Sequence, residues 1–249
     1  MPKFFIDKTQ IDGEIIKITG EDSHHISRSL RMAVGEKITL TDNEAIEYDC
    51  TLEHFGDGYV LAKITEQRHS QSEPEIRVHL FQALPKGEKL DFIIQKSVEC
   101  GVFDITPFES EHCIVKVKGD SEDRKTDRRN KIALEAAKQC GRSVLPEVLP
   151  TVSFERMLEM TSASDLSLFC YEGDGTVPLG EVIGQNRALI SKNASISVVI
   201  GSEGGFSPAE AKLMKESGAL MIGLGKRILR AETAAIMSLS CLVYEFELT

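Results

Sequence analysis

Two glycine-bearing junctions near the C-terminus hold the residue types that could do chemistry. The first is Ile200-Gly201-Ser202-Glu203-Gly204-Gly205-Phe206-Ser207; the second is Leu224-Gly225-Lys226-Arg227-Ile228-Leu229-Arg230-Ala231-Glu232-Thr233-Ala234. Each follows a short apolar run and feeds a segment of helical composition. Glycines let a ligand approach the main chain closely, and the Glu203 carboxylate can accept hydrogen bonds from ligand hydroxyls or amines. In the second junction Arg227 and Arg230 flank Ile228 and Leu229. The aliphatic pair could wall an adenine pocket, while a guanidinium could bind a phosphate or an anionic base. Glu232 and Thr233 open a helix, where a carboxylate gains from the helix dipole. Plainer readings stand beside these: an ordinary strand-to-helix turn at the first junction, and a structural Arg230–Glu232 ion pair at the second.

The common nucleotide motifs fit poorly. No Gly-x-Gly-x-x-Gly follows a strand, no Gly-x-x-x-x-Gly-Lys-Ser/Thr occurs, and Gly225-Lys226 lacks the hydroxyl that would hold magnesium. A dinucleotide dehydrogenase and a phosphate-loop ATPase are both disfavoured. Main-chain contacts and an apolar slot are the expected means of binding.

The elements that must carry these junctions follow from periodicity. Strand-like runs at 14–19, 37–41, 46–53 and 59–66 are broken by Gly and Asp turns, and Gly56-Asp57-Gly58 reads as a hairpin turn. A helix is predicted from Ser23 to Val34, stopped at Gly35. The polar, Pro-containing stretch 68–75 reads as a linker, so residues 1–72 are expected to form a small β-barrel and 73–249 a second domain. There the rhythm becomes strand (76–84), helix (87–99), strand (103–107), helix (121–140), strands (165–171 and 195–200), helix (208–217), strand (220–224) and closing helix (231–245). Such alternation predicts a parallel α/β sheet, whose ligand crevice lies at the strand ends. Ser207-Pro208-Ala209-Glu210 carries a helix-start composition, with Ser at the cap, Pro first and Glu third.

Composition narrows the class. The 249 residues are 41% apolar and 27% charged, as in ordinary globular proteins. No apolar stretch approaches the ~18 residues of a membrane span, and no secretory signal is read at the N-terminus. Six scattered cysteines without a Cys-x-x-Cys pair predict a reducing, cytoplasmic setting and no zinc site. A net charge of −10 argues against indiscriminate nucleic-acid binding. Between His112 and Arg142, however, nine cations (Lys116, Lys118, Arg124, Lys125, Arg128, Arg129, Lys131, Lys138, Arg142) face five acids. That stretch is either a phosphate-docking stripe or a solvated helix face laced with ion pairs.

Both junctions resemble the methyl-donor signature of the SPOUT class of RNA methyltransferases, in particular the RsmE family of ribosomal RNA uridine-N3 methyltransferases. Phe81-Gln82-Ala83-Leu84-Pro85-Lys86, Gln95-Lys96, Glu99-Cys100-Gly101-Val102 and 135–142 followed by Pro146 match the middle of that family. His25 through Leu30-Arg31 and Gly35 match its N-terminal segment. The chain departs from the pattern at Ser202, where the family usually has Pro, and at His112-Cys113, where it commonly has Arg-Ser; a family Trp near Asn130 is also missing.

The resemblance implies a PUA-like or OB-like barrel followed by an α/β domain tied in a trefoil knot, and a homodimer. It implies S-adenosylmethionine as cofactor, no metal, and a donor site mapped onto Leu168, Phe169, Tyr171, Glu172, Ile200, Gly201, Glu203, Gly204, Gly205, Leu224, Gly225, Arg227, Ile228, Leu229, Ala231, Thr233 and Ala234. Uridine N3 must lose a weakly acidic imide proton, which charges the uracil oxygens. Arg230 is the candidate to stabilise that charge, with Glu232 orienting it or sharing the proton transfer. RNA docking is expected on His24, Arg28 and Arg31, which share a face if the helix runs to Val34, with Lys86, and on the stripe Arg124, Arg128, Arg129 with Arg142 nearby. Two other readings stay open: modification of another RNA atom or of a transfer RNA, and a non-catalytic RNA-binding protein.

Overall fold

Fully buried Ile16 and Ile18, Ile38 and Leu40, and Val60 and Ala62 recur at every second residue, the period of a half-buried strand. The computed structural model that shows this describes residues 1–115 and 122–249. Lys116, Lys118 and the expected helix start at Ser121 lie outside the described residues. Packing divides the chain into two units: Met1–Glu73 with Ala137–Leu145, and Pro74–Ala136 with Pro146–Thr249.

The first unit is built on one six-stranded sheet in the order Lys3–Phe5, Lys37–Thr41, Ile46–Gly56, Tyr59–His69, Ile15–Thr19, Ile11–Asp12. The first pair is parallel and the others are antiparallel. Asp57-Gly58 closes the central hairpin, and register shifts after Asp49 and after Leu52 bend its long strands. The helical piece differs from expectation. It starts at Gly20, widens to a π-helix over His25–Ser29 and ends before Arg31. Arg31 adopts a left-handed backbone (φ 52°), and the Met32 N–H returns to the Ile26 carbonyl at 3.0 Å, so the turn stops there rather than at Gly35.

The return of residues 137–145 to this unit is carried by polar contacts. The Glu47 carboxylate accepts hydrogen bonds from Lys3 Nζ (2.8 Å), Arg68 Nη2 (2.8 Å), Ser70 Oγ (2.9 Å) and Ser143 Oγ (2.6 Å). Lys3 also donates to the Gly141 carbonyl (2.6 Å), and Thr41 Oγ1 to that of Ser143 (2.8 Å). Burial alone would raise the Glu47 carboxyl, but Lys3, Ser143 and Ser70 outweigh it and hold it at about 2. Glu73, inside the expected linker, is likewise engaged, accepting from Arg142 Nη2 (2.7 Å) and the Ser143 N–H (2.6 Å).

The second unit is a parallel sheet in the order Val152–Ser153, Asp104–Glu109, Arg77–Ala83, Ser195–Ile200, Leu166–Cys170, Leu220–Gly223, Val177–Pro178, with Glu147–Val148 also on Asp104–Glu109. Leu168, Phe169, Ile196, Val198 and Val199 are fully buried, as expected of strands covered on both faces. The strand Leu220–Gly223 enters between two strands laid down before it. Helices Lys89–Glu99, Glu122–Cys140 as far as Ala136, Phe154–Thr161, Leu179–Asn186, Pro208–Glu216 and Ala231–Glu247 complete this unit. Ala235, Ser238, Leu239 and Leu242 bury one face of the last helix, which packs with Lys89–Glu99. No helix among the described residues is long and apolar enough to cross a membrane.

Candidate functional site

Three parallel neighbours end level with one another. The register pairs Phe169 with Val199 and Cys170 with Ile222, so the loops 171–176, 201–206 and 224–230 leave from the same, C-terminal edge of the sheet. Between them lies a cavity of about 460 Å³, within the range of small-molecule sites, at the place where open α/β sheets bind ligands.

The first loop is held from several sides. The Gly205 N–H donates to the Ser202 carbonyl (3.0 Å), closing a turn. Gln82 Nε2 donates to the Gly201 carbonyl (3.2 Å), and His112 Nδ1 lies 2.8 Å from that of Gly204. A Cβ on Gly204 would meet His112 Cβ at 2.8 Å, so only glycine fits there. Behind the loop, Ser207 caps the next helix: its hydroxyl accepts the Glu210 N–H (3.3 Å), and Glu210 accepts the Ser207 N–H (2.9 Å). Glu210 also accepts the Glu111 N–H (2.8 Å), tying down the segment before His112. Phe206 lies 4.6 Å from the Phe169 ring, which stacks on Tyr171 at 5.6 Å.

Of the expected donor-site residues, Tyr171, Glu172, Ile200, Gly201, Gly204, Gly205, Leu224, Gly225, Arg227, Ile228, Leu229, Ala231 and Ala234 line this cavity. Leu168 and Phe169 do not. They are fully buried within the sheet, and Phe169 supports the lining through its ring contacts. Glu203 is also turned to another use. Its carboxylate accepts the Lys86 N–H (3.1 Å) and pairs with Lys89 Nζ (2.6 Å). Burial opposes ionisation of Glu203, but Lys89 and the backbone N–H groups prevail and hold it below the usual carboxylate range.

Cys170, Ser202 and Lys226, inside the three expected segments, line the cavity as well, and sequence reasoning missed Gly173, Thr176, Phe206, Ile222 and Gly223. Cys170, Ile222 and Gly223 are the last residues of their strands, a position readable once the strands are drawn. Burial pushes the Cys170 thiol up to about 12, so it stays protonated at neutral pH and is a poor nucleophile.

The second loop passes Gly225 with φ at 104°, a conformation that favours glycine. Ile228 stands 83% exposed at the cavity, unusual for an isoleucine. Arg230 is the N-cap residue of the closing helix and is exposed. Arg230, Glu232 and Thr233 are not in the cavity wall, although Leu229, Ala231 and Ala234 around them are. Among the described residues no ion pair joins Arg230 to Glu232, and Glu232 Oε2 is buried without a partner. The structural ion pair is therefore not formed.

The proposed RNA contacts separate. His24 and Arg28 are exposed and share a shallow hollow on the first unit with Glu21, His25 and Ser29. Arg31 lies past the helix end, off their common face. Lys86 and Arg124 are exposed on the second unit. Arg128 is exposed too, gripped by Asp91 at 2.8 and 2.7 Å. Arg129 (7% exposed) is bound to Glu122 at 2.8 Å, and Arg142 (4% exposed) to Glu73, so neither guanidinium is free to meet a phosphate. Within the stripe, these are the ion pairs of the plainer reading.

Comparison with known proteins agrees over the whole chain. A family profile described as RNA methyltransferase domain matches residues 72–243, and one described as RNA methyltransferase PUA domain matches 18–65. The chain is 34% identical to the ribosomal RNA small subunit methyltransferase E of Bacillus subtilis, covering 100% of this chain and 98% of that one. The structure of a ribosomal RNA small subunit methyltransferase E from Neisseria gonorrhoeae, bound to S-adenosyl methionine, superposes with a TM-score of 0.83 at 28% identity, covering 99% and 98%. A putative methyltransferase from Legionella pneumophila, in complex with the cofactor SAM, gives 0.82 at 30% identity, covering 98% and 97%.

Proposed function

The chain belongs to the family of ribosomal RNA small subunit methyltransferase E, and from that premise we propose that it transfers a methyl group from S-adenosylmethionine to N3 of a specific uridine in small-subunit (16S) ribosomal RNA. The observation that carries this reading is the convergence of three loops on one cavity at the strand ends.

The residues present fit the donor. Gly205 and Gly225 line the cavity, and a Cβ on either would meet nothing within 4 Å, so the main chain leaves a cradle there. Ile200, Leu224 and Leu229 offer apolar walls to an adenine, and main-chain groups of 201–205 offer it polar edges. Glu172, opposite in sign to Lys226 and Arg227, suits the charged amino-acid end. When bound, S-adenosylmethionine supplies a methyl already activated on a sulfonium. The chain must then hold the uridine in line and help its imide proton leave. Arg230, exposed at the head of the closing helix, stabilises the charge that loss of this proton puts on the uracil oxygens; the helix dipole has the same sign. Glu232, not paired with Arg230 in the ligand-free chain and with one buried unpartnered oxygen, would orient the arginine or share the proton once the uridine is in place.

RNA phosphates are met by His24, Arg28 and Arg31 on a PUA-like barrel of residues 1–72, and by Lys86, Arg124 and Arg128 on a SPOUT methyltransferase domain of residues 73–249. Entry of Leu220–Gly223 between earlier strands supports a trefoil knot in that domain. Exposed Phe92, Met237 and Tyr244, on two helices that pack together, support a homodimer. An enzyme of ribosomal RNA works in the cytoplasm, where we place it.

The test is incubation of the purified chain with S-adenosylmethionine and small ribosomal subunits lacking the modification, followed by mass mapping of the RNA. One uridine should gain a methyl at N3. A methyl on ribose, or on transfer RNA alone, would replace this reading with a related one, and no methylation anywhere would leave only RNA binding.

A further inference from the structure

Five buried hydroxyls among the described residues have no hydrogen-bond partner: those of Ser97, Thr106, Thr126, Ser167 and Ser202. A hydroxyl taken out of water and left unpaired costs free energy, so each asks for an explanation. Ser202 alone among the five lines the cavity. Two other buried serines of the same unit, unlike Ser97 and Ser167, are satisfied: Ser207 Oγ accepts the Glu210 N–H, and Ser238 Oγ donates to the Ala234 carbonyl at 2.8 Å.

The backbone at Ser202 is fixed. Its carbonyl accepts the Gly205 N–H at 3.0 Å, and its neighbour Glu203 is held by the Lys86 N–H and Lys89 Nζ. The residue is 8% exposed, which leaves rotation about χ1 as its remaining freedom. Leaving the present rotamer breaks no hydrogen bond, because none is made there. A hydroxyl can both donate and accept, so it can serve either kind of polar group on a ligand.

We propose that Ser202 is a donor-binding residue, its hydroxyl turning into the cavity to hydrogen-bond a polar atom of bound S-adenosylmethionine. The inference rests on the donor reading of the cavity and adds to it a side chain that ligand binding satisfies. In the ligand-free protein the hydroxyl is a liability, and in the complex it is a contact.

The experiment is titration calorimetry of the full chain with S-adenosylmethionine, with thermal melting of the ligand-free proteins, for the parent, Ser202→Ala and Ser167→Ala. Removing one net hydrogen bond should weaken donor binding by Ser202→Ala about three- to tenfold. Its ligand-free melting temperature should stay level or rise, because an unpaired buried hydroxyl is gone. Ser167→Ala, which removes an orphan away from the cavity, should bind the donor as the parent does. Ser202→Ala affinity within twofold of the parent would overturn the proposal. So would an equal loss of affinity in both variants, or a Ser202→Ala protein whose ligand-free form melts lower, since the hydroxyl would then be structural. A parent chain that does not bind S-adenosylmethionine would overturn the donor reading itself, and this inference with it.

Discussion

Glu47→Gln should weaken the first unit in a manner that depends on pH. The Glu47 carboxylate collects Lys3, Arg68, Ser70 and Ser143, and its carboxyl is lowered from 4.5 to about 2. A carboxyl depressed by folding stabilises the fold above its unfolded value and ceases to do so as pH falls through its folded value. The contribution at pH 7 is about 3 kcal/mol, falling to about 1.4 kcal/mol at pH 3 and to little below pH 2. Glutamine keeps the shape and some acceptor capacity, and Lys3 retains the Gly141 carbonyl and Ser143 Oγ. The loss therefore reports mainly the charge. Hydrogen exchange read on peptides from Ile46–Gly56 and 141–145 isolates this unit from the other. Protection should fall on the order of a hundredfold at pH 7 and about tenfold at pH 3, relative to the parent at the same pH. Taking the ratio cancels the titration of groups that do not sense the Glu47 charge. An equal ratio at both pH values, or less than threefold at pH 7, would refute the argument that this carboxylate's charge holds the return segment in place.

Other perturbations test the site. Arg230→Ala should lower kcat by about 10²–10³-fold with donor affinity retained; near-normal turnover with intact binding would remove Arg230 from the reaction. Gly204→Ala forces a Cβ to within 2.8 Å of His112 Cβ and should weaken donor binding by about tenfold or more, whereas Gly180→Ala, with open space around it, should leave affinity unchanged in the same calorimetric assay. Arg28→Glu should lower RNA affinity and reduce the salt slope of binding by about one; an unchanged slope would discard that surface. Arg142→Ala, in contrast, should show itself in protection of the first unit and not in the salt slope, because its guanidinium is already bound to Glu73.

What could be read from the sequence was local, and what could not was the partner. Ser207-Pro208-Ala209-Glu210 spells out a helix cap within four residues, and the structure makes both of its hydrogen bonds. Long strands such as Ser195–Ile200 are equally plain from their apolar runs. Helices Phe154–Thr161 and Leu179–Asn186 escaped because each is eight residues long and packs too short a stripe to fix a period. Arg142 read as a phosphate contact because nothing near it in sequence reveals Glu73, 69 residues away. Glu203 read as a ligand group for the same reason, its partners being the Lys86 N–H and Lys89 Nζ, more than a hundred residues earlier. Leu168 and Phe169 belong to a segment that ends at the cavity, but their side chains alternate into the sheet layers. The helix end at Arg31 turned on one left-handed arginine, a conformation that residue type rarely signals.

The strand Leu220–Gly223 slots between neighbours that the ribosome has already made, and its far end leads into the loop and helix that finish the cavity wall. During synthesis the pocket is consequently among the last features to come into existence. A nascent chain halted before Leu220 carries the glycine turn at 201–205 but lacks the wall facing it. The enclosure is complete only once residues 220–234 have joined the sheet and closed the side opposite the glycine turn.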